Sequence, residues 1–502
     1  MIAEKKYAER LSENSRLVEM LQTLSKTESK SFLRFLQSPY HNSNKAVLDF
    51  YSILRNYYPH FSPKNLSKAE LYQQVFGRKY DEAQMNQLMT KTCQALENFF
   101  TAEELRNDKL LTTKLKRDAF QERKLTKQYA KANKQIQTQL EQKSETDSRI
   151  YLEKFLLNEN LLYSGKLQQE EKEKYISNSL THLDQWFVWQ KLRLSCLALN
   201  ESRVKSVNFD LYLLDNILDD KKVINQVGGI LTFYEKIIFL QQKEVGIDIE
   251  ELVSWLDGVL ENMNKKERRD VIIIFLNILF RRHREGEKSL IQLILEVYKI
   301  GLQKEAFINN GAISHQTFIN IAVAAIGCKQ FEWAEQFIET FQHYVPDFRS
   351  DSVHLAYGYL YYNKELELDI KSRDYTKAIN SLMKVLSTKS FFQYRARSLQ
   401  IRVYYELSVQ ENDNFEHVQY FAKAFRKHIR RKSKLNQRKA KTFLNFISCT
   451  EKIVTIRMSE KSKRLEKVKK LKEEIEKINP VFAHDWITEK LLEVEKSAKH
   501  KS

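Results

Sequence analysis

Glycine and proline are scarce in this chain, at 11 and 5 of 502 residues, where average usage would supply roughly 12% from the two together. Both break helices, glycine through backbone entropy and proline through its missing N–H and a steric clash. No proline lies between Pro63 and Pro346. Sheet-rich and nucleotide-binding folds need glycine-rich turns, so parallel α/β folds, barrels and sandwiches are excluded. Cysteine is sparse as well: Cys93, Cys196, Cys328 and Cys449 stand more than a hundred residues apart. Without a CxxC pair there is no local zinc or dithiol motif, and isolated cysteines on apolar faces are usually small buried hydrophobes. Long apolar runs are missing too. Val271–Phe280 reaches about half of the ~20 residues that a membrane span needs. The first twenty residues lack the apolar stretch and small-residue cleavage site of a signal peptide. What is present is 42% apolar and 12% aromatic residues, ample for a core and too rich for disorder. The expectation is an all-α, cytoplasmic protein with no membrane segment, no structural metal and no cofactor.

Residues 1–100 read as a compact N-terminal helical module. Three of the prolines fall there, with capping boxes at Ser25/Glu28 and Ser67/Glu70 and a third at its end, Thr101/Glu104. In such a box the hydroxyl accepts from the backbone three residues on while the carboxylate reaches back. Between them Phe32, Leu33, Phe35 and Leu36, then Val47, Phe50, Tyr51 and Leu54, then Met85, Leu88, Cys93, Leu96 and Phe99 have the spacing of helical core faces. Residues 101–147 form a long connecting helix or helices; a single helix over 102–145 would span about 65 Å, so a bend or break is expected at or before Asn133. From 148 to 430, apolar-periodic blocks of 12–20 residues alternate with short polar connectors. With no strand between them, neighbours must pack helix on helix. Pairs repeated at roughly 35-residue intervals predict an α-solenoid of antiparallel helix pairs.

The repeats acquire a recognisable pattern at 315–346. Phe318, Ile321, Ala322 and Ala325 precede Phe331, Ala334, Ile338 and Phe341, and Pro346 follows. Small Ala322 and Ala334 let two helices approach closely, with Phe331 and Ile338 filling the space beside them. This unit resembles a tetratricopeptide repeat. A second unit carries Leu355, Ala356, Tyr359, Tyr375, Ala378, Leu382 and Val385, with about ten extra residues (365–373) between its helices. A third, from Leu399 to His428, has Tyr404, Phe415, Ala422 and Phe425 but Val418 where alanine is expected. Ser38-Pro39-Tyr40-His41-Asn42 and Tyr57-Tyr58-Pro59 resemble an uncharacterised bacterial helical-repeat family with no activity attached. The tetratricopeptide resemblance implies binding on a concave face lined by the first helix of each pair. Its ligand-facing positions are Gln316, Ile319, Val323 and Ile326, then Val353, Tyr357, Leu360 and Tyr361, then Arg395, Ser398, Arg402 and Tyr405. The Lys/Asn pattern with which some members grip a C-terminal carboxylate is missing. An apolar, aromatic groove with a basic end suits an amphipathic helix or extended peptide carrying acidic residues; the opposing expectation is that the chain's own C-terminal helices fill it.

The net charge of +18 is unevenly spread: residues 1–200 sum to +8, 201–420 to −4 and 421–502 to +14. Lys423, Arg426, Lys427, Arg430, Arg431, Lys432, Lys434, Arg438, Lys439 and Lys441 form a run with no acid among them. Such a run is either a footprint for nucleic-acid phosphates or the solvated face of basic C-terminal helices (431–502) that cap the solenoid. Leu465, Val468, Leu471, Ile475 and Ile478 follow at coiled-coil spacing, too short a seam to dimerise alone. A search for catalytic patterns finds no GxxxxGK[ST], no HExxH and no calcium loop around Asp215, Asp219 and Asp220. The residues therefore point to a non-enzymatic scaffold that binds a protein or peptide partner. Nucleic-acid binding through the basic run is the alternative, and an enzyme assembled from distant helices a third.

Overall fold

The computed structural model describes residues 11, 15–61, 67–142, 147–164, 168–205, 207–242, 246–261, 263–411, 414–432, 437–478 and 480–499, without the side chains of 204, 205, 432 and 437–439. Among these the chain is all-α, with 24 α-helices and no strand. No helix is long and apolar enough to cross a membrane. Residues 1–144 with 152–180 form one compact unit, and 145–151 with 181–502 form another.

The first unit opens with α1 (Arg16–Gln22), α2 (Lys26–Gln37), α3 (Lys45–Leu54), α4 (Lys68–Phe76) and α5 (Glu82–Asn107). Both early capping boxes form: Ser25 and Ser67 accept from Glu28 N and Glu70 N while each carboxylate accepts from the cap's own N–H. Phe32, Leu36, Val47, Phe50, Tyr51, Leu54, Met85, Leu88, Leu96 and Phe99 close one core. Inside it, Tyr51 Oη donates to Ser29 O at 2.9 Å. The third capping box does not form. Thr101 lies inside α5 and its hydroxyl donates back to Glu97 O at 3.0 Å, because the apolar periodicity runs on through it with no breaker. The chain turns instead at Asp108, which accepts from Leu111 N and caps α6 (Lys109–Glu122). It turns again at Lys124, whose φ of 56° ends the helix before α7 (Thr126–Glu141). Both turns precede Asn133, at or before which a break is expected, and Asn133 itself is buried within α7. Then come α8 (Ser148–Leu162) and the 37-residue α9 (Gln169–Lys205).

The second unit continues with α10 (Leu214–Asp219), α11 (Lys222–Val227), α12 (Gly229–Gln242), α13 (Ile249–Glu261), α14 (Lys265–Glu285) and α15 (Leu290–Gln303). After these come α16 (His315–Gly327), α17 (Phe331–Phe341), α18 (Arg349–Leu366), α19 (Thr376–Met383) and α20 (Ser390–Gln410). The helix α16 packs on α17 and α18, and α18 on α19 and α20. One continuous core runs from Tyr151 to Val403. Small residues set the helix approaches: Ala322 and Ala334 are fully buried, and a Cβ on Gly358 would lie 2.8 Å from Leu382 Cδ2. Glycine here is a packing residue within a helix rather than a breaker.

The last four helices, α21 (Glu416–Lys432), α22 (Gln437–Arg457), α23 (Lys461–Lys477) and α24 (His484–Lys499), build a second core. One helix belongs to both cores. Phe392, Ala396, Leu399 and Val403 of α20 face the first, while Tyr394, Ile401 and Tyr405 face the second. A helix apolar on opposite sides must be covered on both. The seam of α23 buries Val468, Leu471 and Ile475 and leaves Leu465 exposed; α23 packs on α22 and α24.

Candidate functional site

Of the positions expected to line a groove, only Gln316 is exposed. Ile319, Ile326, Leu360, Ser398 and Tyr405 are buried, so they pack the interior and offer no surface to a partner. Val323 is half-buried against the first core. Tyr357 and Tyr361, one helical turn apart on α18, are also half-buried, and their rings stack at 5.5 Å with planes 14° apart. Burial pushes both phenols up, assisted by Glu339 and Glu335 of α17. Lys377 sits over the Tyr361 ring at 5.9 Å, and Lys364 pairs with Glu335 at 2.8 Å. An aromatic pair thus stands inside a rim of both charges, not at a basic end.

Arg395 and Arg402, expected to supply that basic end, turn inward. Arg395 donates to Asn320 Oδ1 at 3.1 Å and covers the Phe391 ring. Arg402 lies over Tyr362 at 4.8 Å and Tyr359 at 5.8 Å. Tyr405 is enclosed by Phe415 and by Trp486 of α24, whose ring meets it edge-on at 5.2 Å. At this end the chain's own C-terminal helix occupies the face that the repeat pattern would leave for a ligand.

Beside Tyr405 lies a polar knot without a local sequence motif. Glu406 of α20 and Lys490 of α24 are 3% and 1% exposed, and Lys490 Nζ stands 2.8 Å from Glu406 Oε1 and 2.7 Å from Glu493 Oε1. Arg373 approaches Glu406 Oε2 at 3.7 Å. Tyr362 Oη and Trp486 Nε1 each donate to Glu406 Oε1 at 3.4 Å. Burial pulls the Lys490 ammonium down, but Glu406 and Glu493 outweigh it and the net shift is upward. These ion pairs and hydrogen bonds tie α24 to α20.

The basic run lies on α21 and the start of α22. Val418, Ala422, Phe425 and Ile429 of α21 enter the second core, leaving Lys423, Lys427, Arg430 and Arg431 exposed opposite, with Lys441 exposed on α22. Arg426 is half-buried and paired with Glu451. Lys434 and the side chains of Lys432, Arg438 and Lys439 lie outside the described residues. Compared with family models, with curated proteins and with solved structures, the chain matches none.

Proposed function

We propose that this chain is a non-enzymatic, cytoplasmic scaffold, a tetratricopeptide-like solenoid of antiparallel helix pairs that holds a protein or peptide partner at the Tyr357–Tyr361 face. The stacked, half-exposed tyrosine pair carries the reading, since rigid aromatic anchors ringed by polar groups are the usual centres of binding energy at interfaces. The packing of α16 to α20 on near neighbours, with Ala322, Ala334 and Gly358 at the close approaches, is the pattern expected of stacked repeats. The double variant Tyr357→Ala/Tyr361→Ala tests it. Partner affinity is expected to fall at least 30-fold, about 2 kcal/mol, with the unfolding midpoint moved by less than a few degrees. A large drop in the midpoint would make the pair structural and end the proposal.

A second reading, nucleic-acid binding by the C-terminal basic helices, is favoured by the exposed row Lys423, Lys427, Arg430 and Arg431. If several phosphates are neutralised there, affinity for generic RNA or DNA drops steeply between low and physiological salt. Replacing Lys427, Arg430 and Arg431 by glutamine is then expected to flatten that slope, and an unchanged slope refutes it.

A further inference from the structure

The helical hairpin of α6 and α7, with the neighbouring ends of α8 and α9, borders a cleft of about 660 Å³ inside the first unit. Its walls include Phe120, Leu125, Tyr129, Leu161 and Tyr175. Leu125 is 40% exposed, and Tyr129 Oη donates to Asn160 Oδ1 at 2.5 Å, tying α7 to α8. This volume falls in the range of clefts that enclose a small molecule or a few peptide side chains. Asn133 also lines it, 5% exposed, and neither Oδ1 nor Nδ2 has a hydrogen-bond partner.

Charge identifies what would seat there. Between Lys109 and Lys134 the hairpin carries nine Lys or Arg against Asp118 and Glu122 alone. Lys114 is held by Glu153 and Arg117 by Asp118. Lys124 and Lys134 line the cleft, both are exposed, and among the described residues neither is in an ion pair. We infer that this cleft binds an acidic amphipathic helix of a partner protein. Its apolar side chains would enter between Phe120, Leu125 and Tyr129, and its carboxylates would face Lys124 and Lys134. A nucleic-acid backbone would use the lysines but leave the apolar walls without a role. The site is separate from the Tyr357–Tyr361 face and does not depend on it.

The test uses the full chain and a fluorescein-labelled 16-residue helical peptide with leucines at i, i+3, i+4 and i+7 spacing and glutamates elsewhere. Saturable binding by anisotropy is expected, at least tenfold tighter than for the same peptide with lysines in place of glutamates. Lys124→Glu/Lys134→Glu should weaken it at least tenfold with the melting temperature unchanged, since both side chains are exposed. Leu125→Asp should do the same, and a photo-crosslinker in the peptide should label residues 120–137. Tyr357→Ala/Tyr361→Ala should leave the affinity unaltered; loss of binding there instead would place the peptide on the other face and overturn the inference. It is equally overturned if no saturation occurs, if acidic and basic peptides bind alike, or if a single-stranded oligonucleotide displaces the peptide with the same lysine dependence.

Discussion

Glu406→Ala is expected to destabilise the C-terminal core by about 3–5 kcal/mol, the usual cost of leaving a buried charge without its counter-ion. Lys490, 1% exposed, would keep only Glu493, itself 41% exposed, and the more distant Glu489 at 3.7 Å. Tyr362 Oη and Trp486 Nε1 would lose their acceptor in the same step. Replacing both members, Glu406→Leu/Lys490→Leu, should recover most of that loss, because well-packed apolar pairs often match buried ion pairs. Hydrogen exchange across 484–499 locates the effect, and a midpoint for Glu406→Ala within 0.5 kcal/mol of the native protein would refute it. The pH dependence follows from Lys490, whose folded pKa lies above that of an unfolded lysine. Its contribution is therefore complete below about pH 10.4 and is lost only as pH rises through the higher folded value. The gap between native protein and variant should stay flat from pH 6 to 9 and narrow in strong alkali.

Trp486→Ala is the second large effect, about 3–5 kcal/mol from lost apolar burial and the cavity left behind. The Trp486 ring is 5% exposed and lies 5.2 Å from Tyr405 and 5.9 Å from Phe446. Its removal strips the cover from Tyr405 and admits water beside Glu406, weakening each charge interaction there. Faster amide exchange is expected in 390–410 as well as in 484–499. Protection that falls in α24 alone would show that Trp486 closes nothing beyond its own helix.

The helical nature of the chain was legible in its poverty of glycine and proline, and most of the core faces in their spacing. So was the Tyr357–Tyr361 pair, because two aromatics one turn apart share a face. The fate of Tyr405 was legible only as one of two opposed expectations, an open groove or one filled by the C-terminal helices. On α20, Phe392, Tyr394, Ala396, Leu399, Ile401, Val403 and Tyr405 are all buried, and periodicity cannot say which side of a doubly apolar helix is covered by α24, some eighty residues on. The partnership of Glu406 with Lys490 was hidden for the same reason. One local signal existed: Lys490 sits on the stripe formed by Trp486, Ile487, Leu491 and Val494, where a lysine belongs only if something buried receives it. The basic hairpin 109–134 was obscured by summing charge over two hundred residues. The box pattern at Thr101/Glu104 misled because Thr-x-x-Glu also occurs inside helices that no breaker interrupts.

The double duty of α20 has a consequence for the chain as it leaves the ribosome. Its first face can dock as soon as residue 410 has emerged, completing the core that ends at Val403. Tyr394, Ile401 and Tyr405 must then wait for partners that extend to Val494. At typical synthesis rates of about 5–20 residues per second, that apolar side stays incompletely covered for roughly 4–17 seconds, first meeting Phe415, Phe425 and Phe443 and only last Trp486. Over that interval the C-terminal core is an unfinished half-structure hung on a helix whose other side is already locked in place.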